Sequence, residues 1–197
     1  MKTCLLLATA LLAAPFWETA EPSDWTDEQL VEALTLSPWA RLQNGTHIYL
    51  ATARPLRLAE AELARRTGEG RAAGSALSAF PLRFQEDDEY LEFLADNARD
   101  FIVLAVRISD RRYLSREKSV KEMEQGCELQ IGRRRYPLAG HFPPRDDDPY
   151  LRLVFPRTVR SDDREVQFRL FVPGISLPYR RVFFSVPRLY FRGELEI

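Results

Sequence analysis

Residues 127–138 read CELQIGRRRYPL, and here the spacing of apolar residues changes to two. Cys127, Leu129 and Ile131 alternate with Glu128 and Gln130. Successive strand side chains point to opposite faces, so this pattern marks a half-buried strand. Gly132-Arg133 interrupts it and Arg135 to Leu138 resumes it, which predicts a hairpin closed by a two-residue loop. Toward the C-terminus, Tyr150–Phe155, Val166–Val172 and Arg181–Val186 read as further strands. In the last stretch Leu189, Phe191, Gly193, Leu195 and Ile197 face one way. Arg188, Tyr190, Arg192, Glu194 and Glu196 face the other, which predicts one strand pinned in a sheet up to the last residue.

Upstream the pattern is helical. Thr26-Asp27-Glu28-Gln29 has the form of a capping box, and Trp25 and Leu30 have the spacing of a hydrophobic staple. A helix therefore starts near residue 27. It ends at Ser37-Pro38, because a residue preceding proline is pushed out of the helical region. Thr46–Ala53 reads as a strand, with Asn44-Gly45-Thr46 as the turn before it. Pro55 and Ala59–Arg66 read as a helix stopped by Gly68. Glu69–Ser78 reads as a loop and Ala79–Phe84 as a strand weakened by Pro81. Asp87–Ala98 is helical with Leu91 and Leu94 on one side. Phe101–Ile108 (FIVLAVRI) is a strand buried on both faces, and Ser115–Gln125 is a helix closed by Gly126. The fold class is α+β: N-terminal helices packed on a largely antiparallel, sandwich-like sheet. The expected organisation is one domain over residues 21–197, β-rich over 127–197.

Residues 1–20 read differently. Lys2 precedes the uncharged run Cys4–Ala14 (CLLLATALLAA), which matches a signal-peptide core and is too short for a membrane span. Pro15 breaks it, and cleavage after Ala20 is preferred to cleavage after Ala14. Cys4 sits too early for a lipid anchor. Without residues 1–20 only Cys127 remains, so no internal disulfide forms, and Cys127 reads as a small buried hydrophobe. The formal net charge is -1, which argues against nucleic acid as a partner. The cations are nearly all arginine, the only lysines being Lys2, Lys118 and Lys121.

No chemical constellation stands out. His47 on a strand and His141 in the turn Gly140–Pro143 are the only histidines, and neither has a metal ligand at close spacing. Asp146-Asp147-Asp148 lacks the glycine and spacing of a calcium loop and reads as a solvated turn. The acidic run Glu86–Glu89 reads as a helix N-terminus, and Arg133-Arg134-Arg135 as a charged hairpin tip. Phe183 and Phe184 must point to opposite faces, and Tyr190 lies among charges, so an exposed aromatic here would mark an interface. No residue is assigned a catalytic, cofactor-binding or metal-binding role, and no cofactor is expected.

Trp25-Thr26-Asp27, Ser37-Pro38-Trp39-Ala40, Phe155-Pro156-Arg157 and the ending Phe191–Ile197 (FRGELEI) resemble segments of uncharacterised exported proteins of acidobacteria. The resemblance implies a bacterial source and a periplasmic or secreted location, and carries no activity. The resulting expectation is a non-enzymatic exported binding or structural module whose partner is an envelope protein or component. The alternative is a periplasmic hydrolase or metal-dependent enzyme, with a site around His47 or His141 assembled only in the fold.

Overall fold

The computed structural model describes residues 14–68, 88–146 and 148–197. The chain runs through α1 (Phe16–Thr19), α2 (Asp27–Leu36), β1 (Ala40–Gln43), β2 (Thr46–Leu50), α3 (Arg54–Gly68), α4 (Asp88–Asn97), β3 (Phe101–Arg107) and α5 (Glu117–Gly126). It continues through β4 (Glu128–Ile131), β5 (Arg134–Pro137), β6 (Gly140–Phe142), β7 (Tyr150–Pro156), β8 (Glu165–Phe171), β9 (Tyr179–Ser185), β10 (Tyr190–Phe191) and β11 (Glu194–Leu195). The fold class is α+β, as the sequence implies. The apolar N-terminal run up to residue 13, the loop and strand expected over 69–84, and Glu86, Asp87 and Asp147 lie outside the described residues.

One sheet has the order β1-β2-β3-β7-β6 and the other β5-β4-β8-β9, antiparallel throughout. They pack face to face through aromatic rings: Phe155 of β7 lies 5.2 Å from Phe168 of β8, whose ring also meets Phe184 of its own sheet at 5.9 Å. The sheets also meet at both edges. The two residues between β5 and β6 carry the chain from one sheet to the other. At the opposite edge Arg180 of β9 donates to the Gln43 carbonyl of β1 at 2.5 Å.

Helices cover the remaining face of the five-stranded sheet, which explains why β2, β3 and β7 are buried on both sides while β8 and β9 alternate. The α2 capping box forms in both directions: Thr26 Oγ1 accepts from Gln29 N (3.2 Å), and Gln29 Oε1 accepts from Thr26 N (2.8 Å). Trp25 and Leu30 beside it are buried. Arg66 of α3 reaches Asp27 of α2 at 2.7 Å and its own Glu62 at 2.7 Å, tying the two helices together. On α4 the packed side is Tyr90, Phe93 and Leu94 rather than Leu91 with Leu94; Leu91 is exposed. The ring of Tyr90 meets Phe142 at 5.2 Å and Phe93 meets Phe101 at 5.7 Å.

Several expectations need correction. β1 was not anticipated. It pairs with β2 across Asn44-Gly45, whose φ values of 49° and 72° suit a two-residue turn with both residues left-handed. The ending is not one strand: Arg192-Gly193, at φ 48° and 82°, folds residues 190–195 into a small separate hairpin. The register pairs Phe191 with Glu194 and Tyr190 with Leu195, so the turn shifts the alternation by one and Phe191 and Leu195 do not share a face. Leu189, Phe191 and Ile197 are all buried. His141 lies on edge strand β6 rather than in a turn. Gly126 closes α5 for a spatial reason: a Cβ there would lie 2.6 Å from Phe171 Cβ.

Candidate functional site

The helix-facing side of the five-stranded sheet carries a row set by register. Tyr49 of β2 lies opposite Ala105 of β3, Ala105 opposite Arg152 of β7, and Arg152 opposite Phe142 of β6. Tyr49 and Arg152 are large polar residues flanking one small one, and both are buried. Over this row α3 places Glu60 and α4 places Tyr90. Arg152 Nη1 pairs with Asp148 Oδ2 at 2.5 Å, and its guanidinium lies 4.3 Å from the centre of the Tyr90 ring. Asp148 also accepts from the Tyr150 backbone N–H at 3.1 Å. It is therefore buried and paired, not part of a solvated acidic turn. Asp146, by contrast, stays exposed and pairs with Arg111.

Three atoms of this cluster, Tyr49 Oη, Glu60 Oε1 and Arg152 Nε, are enclosed without a hydrogen-bond partner at standard geometry. A buried polar atom left unsatisfied costs about 1–3 kcal/mol, so three together mark a costly site. Burial pushes the Glu60 carboxyl up to about 7, with the Tyr49 hydroxyl and the charge of Arg152 opposing the rise. Burial likewise raises the phenols of Tyr90 and Tyr150 above their ordinary range.

His47 borders the cluster, stacked on Tyr49 at 5.1 Å. Its Nε2 lies 2.6 Å from the Leu34 carbonyl, which can only accept, so Nε2 carries the proton. Nδ1 then accepts from the Tyr150 hydroxyl at 2.8 Å. Burial lowers the imidazole to about 4 and keeps it neutral. Both ring nitrogens thus serve packing. His141 meets Glu124 at 3.5 Å on a sheet edge. Among the described residues neither histidine joins a set of carboxylates, and no group of three or more potential metal ligands occurs.

A second feature opens to solvent. A groove of about 880 Å³ lies between the N-terminal turns of α3, the end of α4 and the β10–β11 hairpin. Its walls carry Arg54, Arg57, Arg99 and Arg157 against Asp96, Glu194 and Glu196, and Leu94, Ala95 and Leu195 line it as well. Arg54 is committed to Glu194 (3.0 Å) and Glu196 (3.1 Å), and Glu196 also accepts from the Arg54 backbone N–H (2.9 Å) at the start of α3. Arg157 donates to the carbonyls of Ala98 (3.2 Å) and Leu195 (3.1 Å), contacts that hold it without neutralising it. Arg57 and Arg99 are exposed and form no hydrogen bond or ion pair among the described residues. The charge of Arg57 acts on the Glu60 carboxyl three residues on and favours its ionised form.

The remaining sequence candidates are structural. Arg134 of the basic tip pairs with Asp163 at 2.5 Å, and Arg135 approaches Glu128 at 3.9 Å. Cys127 is buried and its thiol is pushed up to about 11 by burial, as befits a small hydrophobe. Phe184 is buried and Phe183 is 42% exposed, which resolves the adjacent pair. Tyr190 is half-buried. No helix among the described residues is long and apolar enough to cross a membrane. Comparison with protein-family models, curated proteins and solved structures finds no match.

Proposed function

We propose that this chain is an exported bacterial protein, akin to the uncharacterised exported proteins of acidobacteria, whose folded part is a non-enzymatic binding module of the envelope. The arginine-walled groove carries this reading. It is of ligand-pocket size, it is walled by α3, the end of α4 and the β10–β11 hairpin, and its Arg57, Arg99 and Arg157 form no ion pair among the described residues. The apolar run Cys4–Ala14 supports export. Crosslinking the protein in intact cells and identifying adducts by mass spectrometry tests the reading. Reproducible capture of an envelope component supports it; a chain that stays alone while substrate screens find turnover sinks it.

One observation favours a second reading. Glu60 is a carboxyl whose proton is held to about pH 7, beside Tyr49 and Arg152, which suits a general acid or base. That enzyme would work without the histidines, since His47 is saturated. Turnover that disappears in Glu60→Gln while the fold persists would establish it in place of the binding module.

A further inference from the structure

We infer that the groove binds a small organic oxyanion, its carboxylate or phosphate group held by Arg57 and Arg99 with the Arg157 guanidinium alongside; this rests on the binding-module reading. Four arginines contribute to the groove, and they are not equivalent. Arg54 is ion-paired with Glu194 and Glu196, and Glu196 also accepts from the backbone N–H at the start of α3. Arg157 is fixed by two carbonyl oxygens, so two of its five donors are spent and the planar fork is already oriented. Arg57 stands exposed on α3 and Arg99 in the turn that follows α4, with no carboxylate bonded to either among the described residues. Guanidinium forks match carboxylate and phosphate oxygens in pairs, which an ammonium does not.

The rest of the lining narrows the ligand. Leu94, Ala95 and Leu195 offer apolar contact, so a carbon skeleton attached to the anionic group gains from the same groove. Asp96, Glu194 and Glu196 on the walls disfavour a ligand of very high negative charge and suit hydroxyl or amine groups at its far end.

Isothermal titration of the purified full chain tests the inference, with citrate, glycerol 3-phosphate, inorganic phosphate and phosphatidylglycerol vesicles as probes. Saturable binding of citrate or glycerol 3-phosphate is expected, weakening with added salt. Arg57→Gln and Arg99→Gln should each lower the affinity on the order of ten-fold, the loss of one charged hydrogen bond. Arg181→Gln, on the exposed face of the other sheet, should leave it unchanged. Both groove arginines are exposed, and circular dichroism checks that the variants keep the fold. Absence of binding by either organic probe, equal binding by the groove variants, or binding by vesicles alone would overturn the inference. If a partner is captured in cells while neither organic probe binds, the ligand class is wrong and the binding module stands.

Discussion

The Tyr150 hydroxyl donates to His47 Nδ1 at 2.8 Å, joining residues 103 positions apart in the chain. The Leu34 carbonyl fixes the other ring nitrogen as the donor, so one bond ties β7 to β2 and the second ties β2 to α2. A positive charge on this ring would be buried, which is why the imidazole is lowered to about 4.

His47 therefore contributes stability that is present above its unfolded value near 6.5 and is lost as pH falls toward about 4. The shift corresponds to on the order of 3 kcal/mol. Urea unfolding of His47→Gln from pH 7 to 4 should show a flatter acid limb than the parent. Parallel curves would show that the charge on this ring is not penalised.

Glu60 works in the opposite direction. Its folded value near 7 lies above the ordinary 4.5, so its contribution is full below 4.5 and is lost as pH rises through about 7. Glu60→Gln should raise the thermal midpoint at pH 8 and leave it nearly unchanged at pH 4, with a gain of up to about 3 kcal/mol. Between pH 4.5 and 6.5 the two residues oppose each other, so the parent should show a shallow profile that either single variant steepens. A parent profile already as steep as those of the variants would contradict this.

Asp148 and Asp146 look alike in the sequence and should behave differently. Asp148→Ala leaves Arg152 buried and unpaired, which should cost about 3–5 kcal/mol in chemical denaturation. Asp146→Ala removes only an exposed pair and should cost no more than about 1 kcal/mol.

Gly126→Ala should destabilise by about 1–3 kcal/mol, because the new methyl meets Phe171 Cβ across packed structure. At Gly193 nothing lies within 4 Å of a Cβ, so alanine there pays only for the positive φ, about 1–2 kcal/mol. Differential denaturation of the pair separates crowding from backbone strain.

Processing gives a further expectation. Phe16 packs edge-on against Trp25 at 5.2 Å, Trp17 approaches Trp39 at 6.2 Å, and Glu18 accepts from the Arg192 N–H at 2.8 Å. Under the proposed export, cleavage after Ala20 would discard these contacts, so a processed chain that keeps Phe16–Ala20 is expected. Intact mass of any processed form decides between a start before Phe16 and a start at Glu21.

Much of the fold was legible because its signals are local. The capping box at Thr26 and Gln29, the apolar run of β3 and the hairpin at Gly132 each lie within about ten residues. β1 was hidden because Arg41-Leu42-Gln43 is too short for a period to show. The final hairpin was hidden because apolar residues recur at every second position on both sides of its turn, the pattern a single strand would also show. The polar cluster was illegible for another reason: its members come from β2, α3, α4 and β7, and only register brings them together. A signal existed in Arg152 within the apolar run YLRLVF, and in Glu60 on the helix that buries Leu56, Ala59 and Leu63. A charged residue inside an otherwise buried pattern announces a partner elsewhere in the fold. The groove arginines gave no signal at all, since exposed arginines occur along the whole chain.

The central claim is that the chain acts by binding through the arginine-walled groove. The most direct measurement places a photoreactive phenylalanine analogue at Ala95, which lines the groove and is exposed, or, as a control, at Phe183 on the far sheet, and irradiates intact cells. The account predicts a defined adduct mass on the peptide carrying position 95 and none at position 183. Adducts at 183 alone, or at neither position while the purified protein turns over a substrate, would contradict it.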